Sequence, residues 1–409
     1  MKKFLGIFML TLTACSSVMQ TKLNTLRNDF QPDTFVQSAE SFANNQPIEK
    51  QDSLELLISG LALFHAGDFN NSDKAFETWR RRDFDFTGTS LSREAEILVG
   101  GNLAVEYKPY MMDSLFVSYY QIWDAIGAGR KSDVRVIINQ AYHNQQKMGR
   151  AYKDLIKNNQ KNPDIVSELN AQNAQWAAYS DIMNPALMYL SGIWFLNSGD
   201  YSDAQLYLTR TSGMTNNNKY VNADLKYANN KEKPKNTVWI FIEYGFAPSL
   251  YQKQITLPWF TGDHLILVPL AIAVPYFNNS PTLFTPVADV NAMFMTEFNE
   301  YQINNTMRDL VSAGARAVLQ GTLYNSNYDS APLLGFGSTI FSLATTNVEI
   351  RTWATLPEYI SVLRGTKSDL IEMNLDDNLK EKIKQLGDGN YLIYLRLTNG
   401  IPVIHTFKL

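Results

Sequence analysis

Phe64-His65-Ala66-Gly67-Asp68-Phe69 stands between two stretches whose apolar residues recur every three or four positions, and the arrangement returns at Leu196-Asn197-Ser198-Gly199-Asp200-Tyr201. A glycine at such a point can take the left-handed conformation that ends a helix, and the aspartate after it sits where the chain turns into the next one. A degenerate copy, Ala128-Gly129-Arg130-Lys131, lies between the two. Aligning Asp68, Arg130 and Asp200 brings other positions into step. Eight residues earlier stand Gly60, Ile122 and Gly192; four earlier, Phe64, Ile126 and Leu196; eight later, Phe76, Ile138 and Leu208. The pattern predicts three helical hairpins, with Gly60 and Gly192 placed so that a neighbouring helix can come close.

These hairpins resemble the tetratricopeptide type, although they are spaced more widely than its usual period of about 34 residues. Helices near Leu91–Tyr107 and Asp164–Tyr179 would fill the gaps. The helical pattern covers 51–230. It ends at the charged run Lys231-Glu232-Lys233-Pro234-Lys235, after which Thr237-Val238-Trp239-Ile240-Phe241-Ile242 reads as a strand. The remainder, 236–409, is a mixed α/β segment. Strand-like stretches lie at Leu265–Val274 and Asn347–Trp353, separated by a helical pattern from Val287 to Gln320 whose expected core includes Met293, Phe294, Phe298, Met307 and Leu310. The chain ends in a hairpin, with Tyr391–Leu397 and Ile401–Phe407 flanking Thr398-Asn399-Gly400. Asn-Gly favours a tight turn, and Pro402 argues for an edge strand. The fold class expected is α+β: an all-α tetratricopeptide-like domain, a boundary at 231–235, then a mixed domain.

At the start, Lys2 and Lys3 precede a short apolar run, Phe4–Leu12, which is too brief for a membrane span of roughly 20 residues. Leu12-Thr13-Ala14-Cys15 resembles the lipobox of bacterial lipoproteins. That resemblance implies a signal peptide of residues 1–14, cleavage before Cys15, and lipid on Cys15. Cys15 is the single cysteine of the chain, so no internal disulfide can form. Residues 15–50 are polar and read as a lipidated cysteine followed by a tether with some helix toward its end. Ser16, rather than aspartate, after the cysteine points to the outer membrane, facing the periplasm.

Net charge is −4 and no basic patch suits nucleic acid. Arg80-Arg81-Arg82 reads as a solvated helix end. The four histidines, His65, His143, His264 and His405, lie on separate elements without metal-ligand spacing. His65 is best read as a packed or surface residue. Gly335-Phe336-Gly337 is too short for a phosphate loop, and Gly387-Asp388-Gly389-Asn390 reads as a turn entering the last hairpin. Glu297 and Glu300 look like a solvated pair on one helix, and Asp376-Asp377 equally so. No catalytic residue, metal ligand or cofactor site is expected.

Aromatic residues are the more suggestive feature. Tyr107, Tyr110, Tyr119, Tyr120, Trp123, Tyr189 and Trp194 gather in the helical part. Many belong to a core. As a candidate binding surface, Tyr107, Tyr110, Tyr119, Tyr120, Trp123 and Tyr189 would line a concave groove that anchors a partner. Taken in order, four places resemble a family of proteobacterial outer-membrane lipoproteins with tetratricopeptide-like repeats: Tyr107-Lys108-Pro109-Tyr110 with Tyr119-Tyr120; Asn184-Pro185 with Tyr189-Leu190-Ser191-Gly192 and Gly199-Asp200-Tyr201; Glu243-Tyr244-Gly245-Phe246-Ala247-Pro248; and Arg351-Thr352-Trp353 with Leu356-Pro357. The chain departs from the repeat pattern at Arg130. The family implies an envelope lipoprotein and transfers no reaction. The expected function is a lipid-anchored scaffold or regulator that binds another envelope protein, in cell-wall or outer-membrane assembly. The alternative is a carrier for lipid, glycan or muropeptide.

Overall fold

A computed structural model describes residues 18–82, 106–159, 182–258, 265–274, 284, 286–302, 348–397 and 401–409, with the backbone alone at 159, 254–258 and 265–270. Residues 18–29 form α1, followed by α2 (Phe35–Phe42). Three helical hairpins come next: α3 (Ser53–His65) with α4 (Phe69–Arg80), α5 (Met111–Gly127) with α6 (Lys131–Asn159), and α7 (Pro185–Ser198) with α8 (Tyr201–Met214). Helix α9 (Lys219–Asn230) closes the helical part.

The hairpin turns share one geometry. Gly67, Gly129 and Gly199 have φ of 81°, 74° and 83°, the left-handed conformation in which a side chain would be strained. Asp68 and Asp200 cap α4 and α8 by accepting from Asn71 N and Asp203 N. Within the hairpins, the helices touch at glycine. A Cβ on Gly60 would fall 2.6 Å from the Phe76 ring, and one on Gly192 would fall 2.8 Å from Leu208.

The first helix of each hairpin, α3, α5 and α7, is apolar nearly all round and buried along almost its whole length. Such a helix needs cover on every side. Its own hairpin partner supplies one side, and a β-sheet supplies another. That sheet runs in the order β4-β5-β1-β6-β7, from β4 (Pro286–Asp289), β5 (Tyr359–Gly365), β1 (Val238–Tyr244), β6 (Tyr391–Arg396) and β7 (Val403–Lys408). β1 and β6 are parallel and the other pairs antiparallel. Trp239, Phe241, Leu392 and Tyr394 pack with the hairpins, whereas Val238, Ile240, Ile242 and Ile393 pack with two short helices, α11 (Lys367–Glu372) and α12 (Asp377–Lys384). Burial of both faces explains why β1 is a continuous apolar run rather than an alternating one. A separate ribbon pairs β2 (Ser249–Pro258) with β3 (Leu265–Val274), and helix α10 covers residues 290–302. The protein is therefore mixed helix and sheet.

Three expectations change. The stretch 15–50 is no tether from Val18 onward, because Leu23, Leu26, Phe30, Phe35 and Phe42 lie in the core. Buried Arg27 of α1 donates to the carbonyls of Ala247, Pro248 and Ala354, far along the chain. The change from helix to strand falls near 231–235, but no break in the core falls there, since one apolar cluster includes Leu23, Trp123, Phe241 and Phe407. Residues 348–353 are not a strand; β5 is the strand of that region. The terminal hairpin is present with β7 at the sheet edge, and residues 398–400 of its turn lie outside the described residues. Of the expected helix core, Met293, Phe294 and Phe298 are buried in α10, and Met307 and Leu310 lie outside the described residues.

Candidate functional site

The densest polar constellation sits between the hairpins and the sheet. Glu243 of β1, fully buried, accepts from Tyr394 Oη at 2.6 Å and Tyr120 Oη at 3.0 Å, and lies 3.5 Å from the Arg396 guanidinium. Tyr394 Oη is also 2.8 Å from His65 Nε2. Burial raises the Glu243 carboxyl above its ordinary range, with Arg396 opposing, and holds the His65 imidazole well below its usual value. A carboxylate, two phenols, an imidazole and a guanidinium are the parts of an acid–base site. Here each is closed off: His65 is 3% exposed, Arg396 2%, and the other three are fully buried. General acid–base work needs a substrate within hydrogen-bond reach, so this cluster acts as a clamp between helices and sheet.

A second clamp lies beside it. Asp224 of α9 accepts from Tyr189 Oη and Trp239 Nε1, both at 2.7 Å, and from Arg364 Nε at 2.6 Å, joining α7, α9, β1 and β5. The first cluster has a signal in the sequence: Glu243 and Arg396 are lone charges in apolar strand runs. Charges are tolerated there only when paired.

The aromatic groove does not exist as a surface. Tyr119, Tyr120, Trp123 and Tyr189 have no exposed area, and Tyr107 has 1%. Tyr119, Trp123 and Tyr189 lean on Phe241 of the sheet, with ring centroids 5.3–6.4 Å apart. Tyr110, half-buried, packs edge-on against Phe294 and Tyr301 of α10. Trp194 is 9% exposed. The face that a free helical array would offer to a partner is already covered by the protein's own sheet.

Glu297 is a further correction. It is fully buried rather than solvated, and its two oxygens accept from the backbone of Met111 (2.6 Å) and Met112 (3.1 Å) at the start of α5. Glu300 is half-buried. Asp113 beside it accepts from Tyr107 Oη and Tyr110 N, both at 2.9 Å. Asp376 and Asp377 are exposed, with Asp376 capping α12.

Two open clefts are found among the described residues. One, of 690 Å³, lies where α6 meets the third hairpin and is lined by Lys131, Arg135, Trp194, Asp200, Tyr201 and Lys231. Arg135 pairs there with Asp200 and Asp203 and covers the Phe195 ring. The other, of 470 Å³, runs between α1 and α2 and includes Val18, Lys22, Leu26, Ser38 and Phe42. Among the described residues, no cluster of three or more His, Cys, Asp or Glu could hold a metal ion, and no helix is long and apolar enough to cross a membrane. Cys15, His264 and Gly335-Phe336-Gly337 lie outside the described residues. No family model, curated protein or solved structure matches the chain.

Proposed function

We propose that the chain is a lipid-anchored protein of the outer membrane, facing the periplasm, that binds another envelope protein as a scaffold or regulator. The observation that carries the reading is Leu12-Thr13-Ala14-Cys15, followed after two serines by a helix built into the core. Lipid contributes about 0.8 kcal/mol per buried methylene, so acylation at Cys15 would hold the protein stably at a membrane. We take the three hairpins as a tetratricopeptide-like repeat domain ahead of a mixed α/β domain; the shared turn glycines and the Gly60–Phe76 and Gly192–Leu208 contacts support this. The accessible cleft at Lys131, Arg135, Tyr201 and Lys231 replaces the buried aromatics as the surface for the partner. Charged and aromatic groups beside one another suit an interface rim and anchor.

Cys15→Ala tests the anchor directly. In cells, the variant should lose palmitate labelling and move from the membrane to the soluble fraction. A variant that stays in the membrane fraction with labelling unchanged would overturn the assignment.

A further inference from the structure

The cleft where α6 meets the third hairpin is basic, on a chain whose net charge is −4. Lys131, Arg135 and Lys231 line it, against Asp200 alone. Arg135 is engaged, because it pairs with Asp200 and Asp203 and so neutralises the nearest carboxylates. The lysines are not. Lys131 Nζ donates to the main-chain carbonyl of Lys408 at 3.0 Å, a neutral acceptor that leaves its charge unbalanced. Lys231 and Lys233 are exposed and have no carboxylate partner among the described residues. Lys233 stands at the rim: its Cε would lie 3.1 Å from a Cβ on Gly199, which lines the cleft.

An apolar step adjoins these charges. Helices α6 and α8 lie side by side and run the same way, since Arg135 pairs with Asp203 and, two turns on, Arg210 covers the Tyr142 ring at 5.3 Å. Val136 of α6 is 54% exposed and Leu206 of α8 is 41% exposed. Each stands one turn beyond a serine that lines the cleft, Ser132 and Ser202. In the register of the two helices they are offset by about 3 Å along the axis. The apolar surface therefore begins where the basic cleft ends.

We infer that the envelope-protein partner presents a short acidic segment with an adjoining apolar side chain. Its carboxylates meet Lys131, Lys231 and Lys233, and its apolar group rests against Val136 and Leu206. The inference rests on the reading of this cleft as the surface for the partner. Hydrated ammonium groups at a rim steer and select an anionic partner, while apolar contact holds it. A volume of 690 Å³ suits a few side chains rather than a folded domain. A flat bilayer does not enter a cleft walled by Trp194 and Tyr201, and a small free anion would leave Val136 and Leu206 uncovered.

The test uses the full lipidated chain in cells, with the photo-crosslinking residue benzoylphenylalanine in place of Val136 or of Leu206. The joined peptide is then identified by mass spectrometry. Both positions should capture a protein through a segment that carries aspartate or glutamate beside the joined residue. Capture should fall about tenfold when Lys131→Glu and Lys231→Glu are combined. Lys50→Glu with Lys382→Glu changes the net charge equally, away from the cleft, and should leave capture unchanged. All four lysines are exposed, so both double variants should keep the melting temperature of the parent. Capture through a neutral or basic segment, or capture indifferent to the charge reversal at 131 and 231, would overturn the acidic recognition and leave the scaffold reading standing. Adducts only with lipid, with glycan or with a second copy of the chain would overturn it as well. No adduct at either position would remove the cleft as the partner surface, and this inference with it.

Discussion

Burying a carboxyl group ties it to pH, and Glu297 and Asp113 show how. Burial raises Asp113 from 3.8 to about 7 and Glu297 from 4.5 to about 8, against the opposing backbone hydrogen bonds. Between the unfolded and folded values the native state holds more protons than the unfolded chain. Their contribution to stability is therefore full below the unfolded values and lost as pH rises through about 7 and 8. Comparing the protein with Glu297→Gln by denaturant unfolding isolates one of the two groups. From about pH 5 to about pH 9 the native protein should lose stability relative to the variant. Parallel pH profiles would show that Glu297 ionises in the fold as readily as in water. Its residue type and position are visible in the sequence, but its burial is not. Nothing local to Glu297 records that the start of α5, at Met111 and Met112, lies opposite.

At the scale of an element, α1 is the clearest departure from a local reading. Residues 15–50 are polar enough to look unstructured, yet α1 needs only one apolar stripe to pack, and Leu23, Leu26 and Phe30 provide it. The side chain that locks it is polar. Arg27, 1% exposed, donates to three main-chain carbonyls, so it anchors α1 to the ribbon root and to Ala354. Arg27→Ala leaves those buried acceptors without a donor. The expected loss is about 3 kcal/mol or more by chemical denaturation. A loss below about 0.5 kcal/mol, usual for an exposed surface site, would mean that α1 is held by its apolar stripe alone. The hairpins, by contrast, are local features. Turn glycines and the period of apolar residues are properties of the nearby chain, and Gly67, Gly129 and Gly199 take the left-handed geometry their positions call for.

For the whole molecule, the shared core decides how it comes apart. The helices and the sheet are joined by Tyr120–Glu243, His65–Tyr394 and Asp224–Trp239, and by one continuous apolar cluster. Lys231, Glu232 and Lys233 are exposed and should be cut by limited proteolysis. The two pieces should then co-elute in size exclusion and melt in one transition. Separate elution of a folded helical piece would mean that the core divides there after all. The sequence by itself determined the helical hairpins and their turns, the switch to strands near 237, the edge hairpin at the end, and the motif at Cys15, because each is written in residues close together in the chain. Only the tertiary structure decided that the aromatic faces of α3, α5 and α7 are closed by the protein's own sheet, and that Glu243, Asp224 and Glu297 are buried clamps. Those facts depend on which distant surfaces meet: His65 and Tyr394 are 329 residues apart. An apolar face looks the same in the sequence whether it is covered from within the molecule or by a partner.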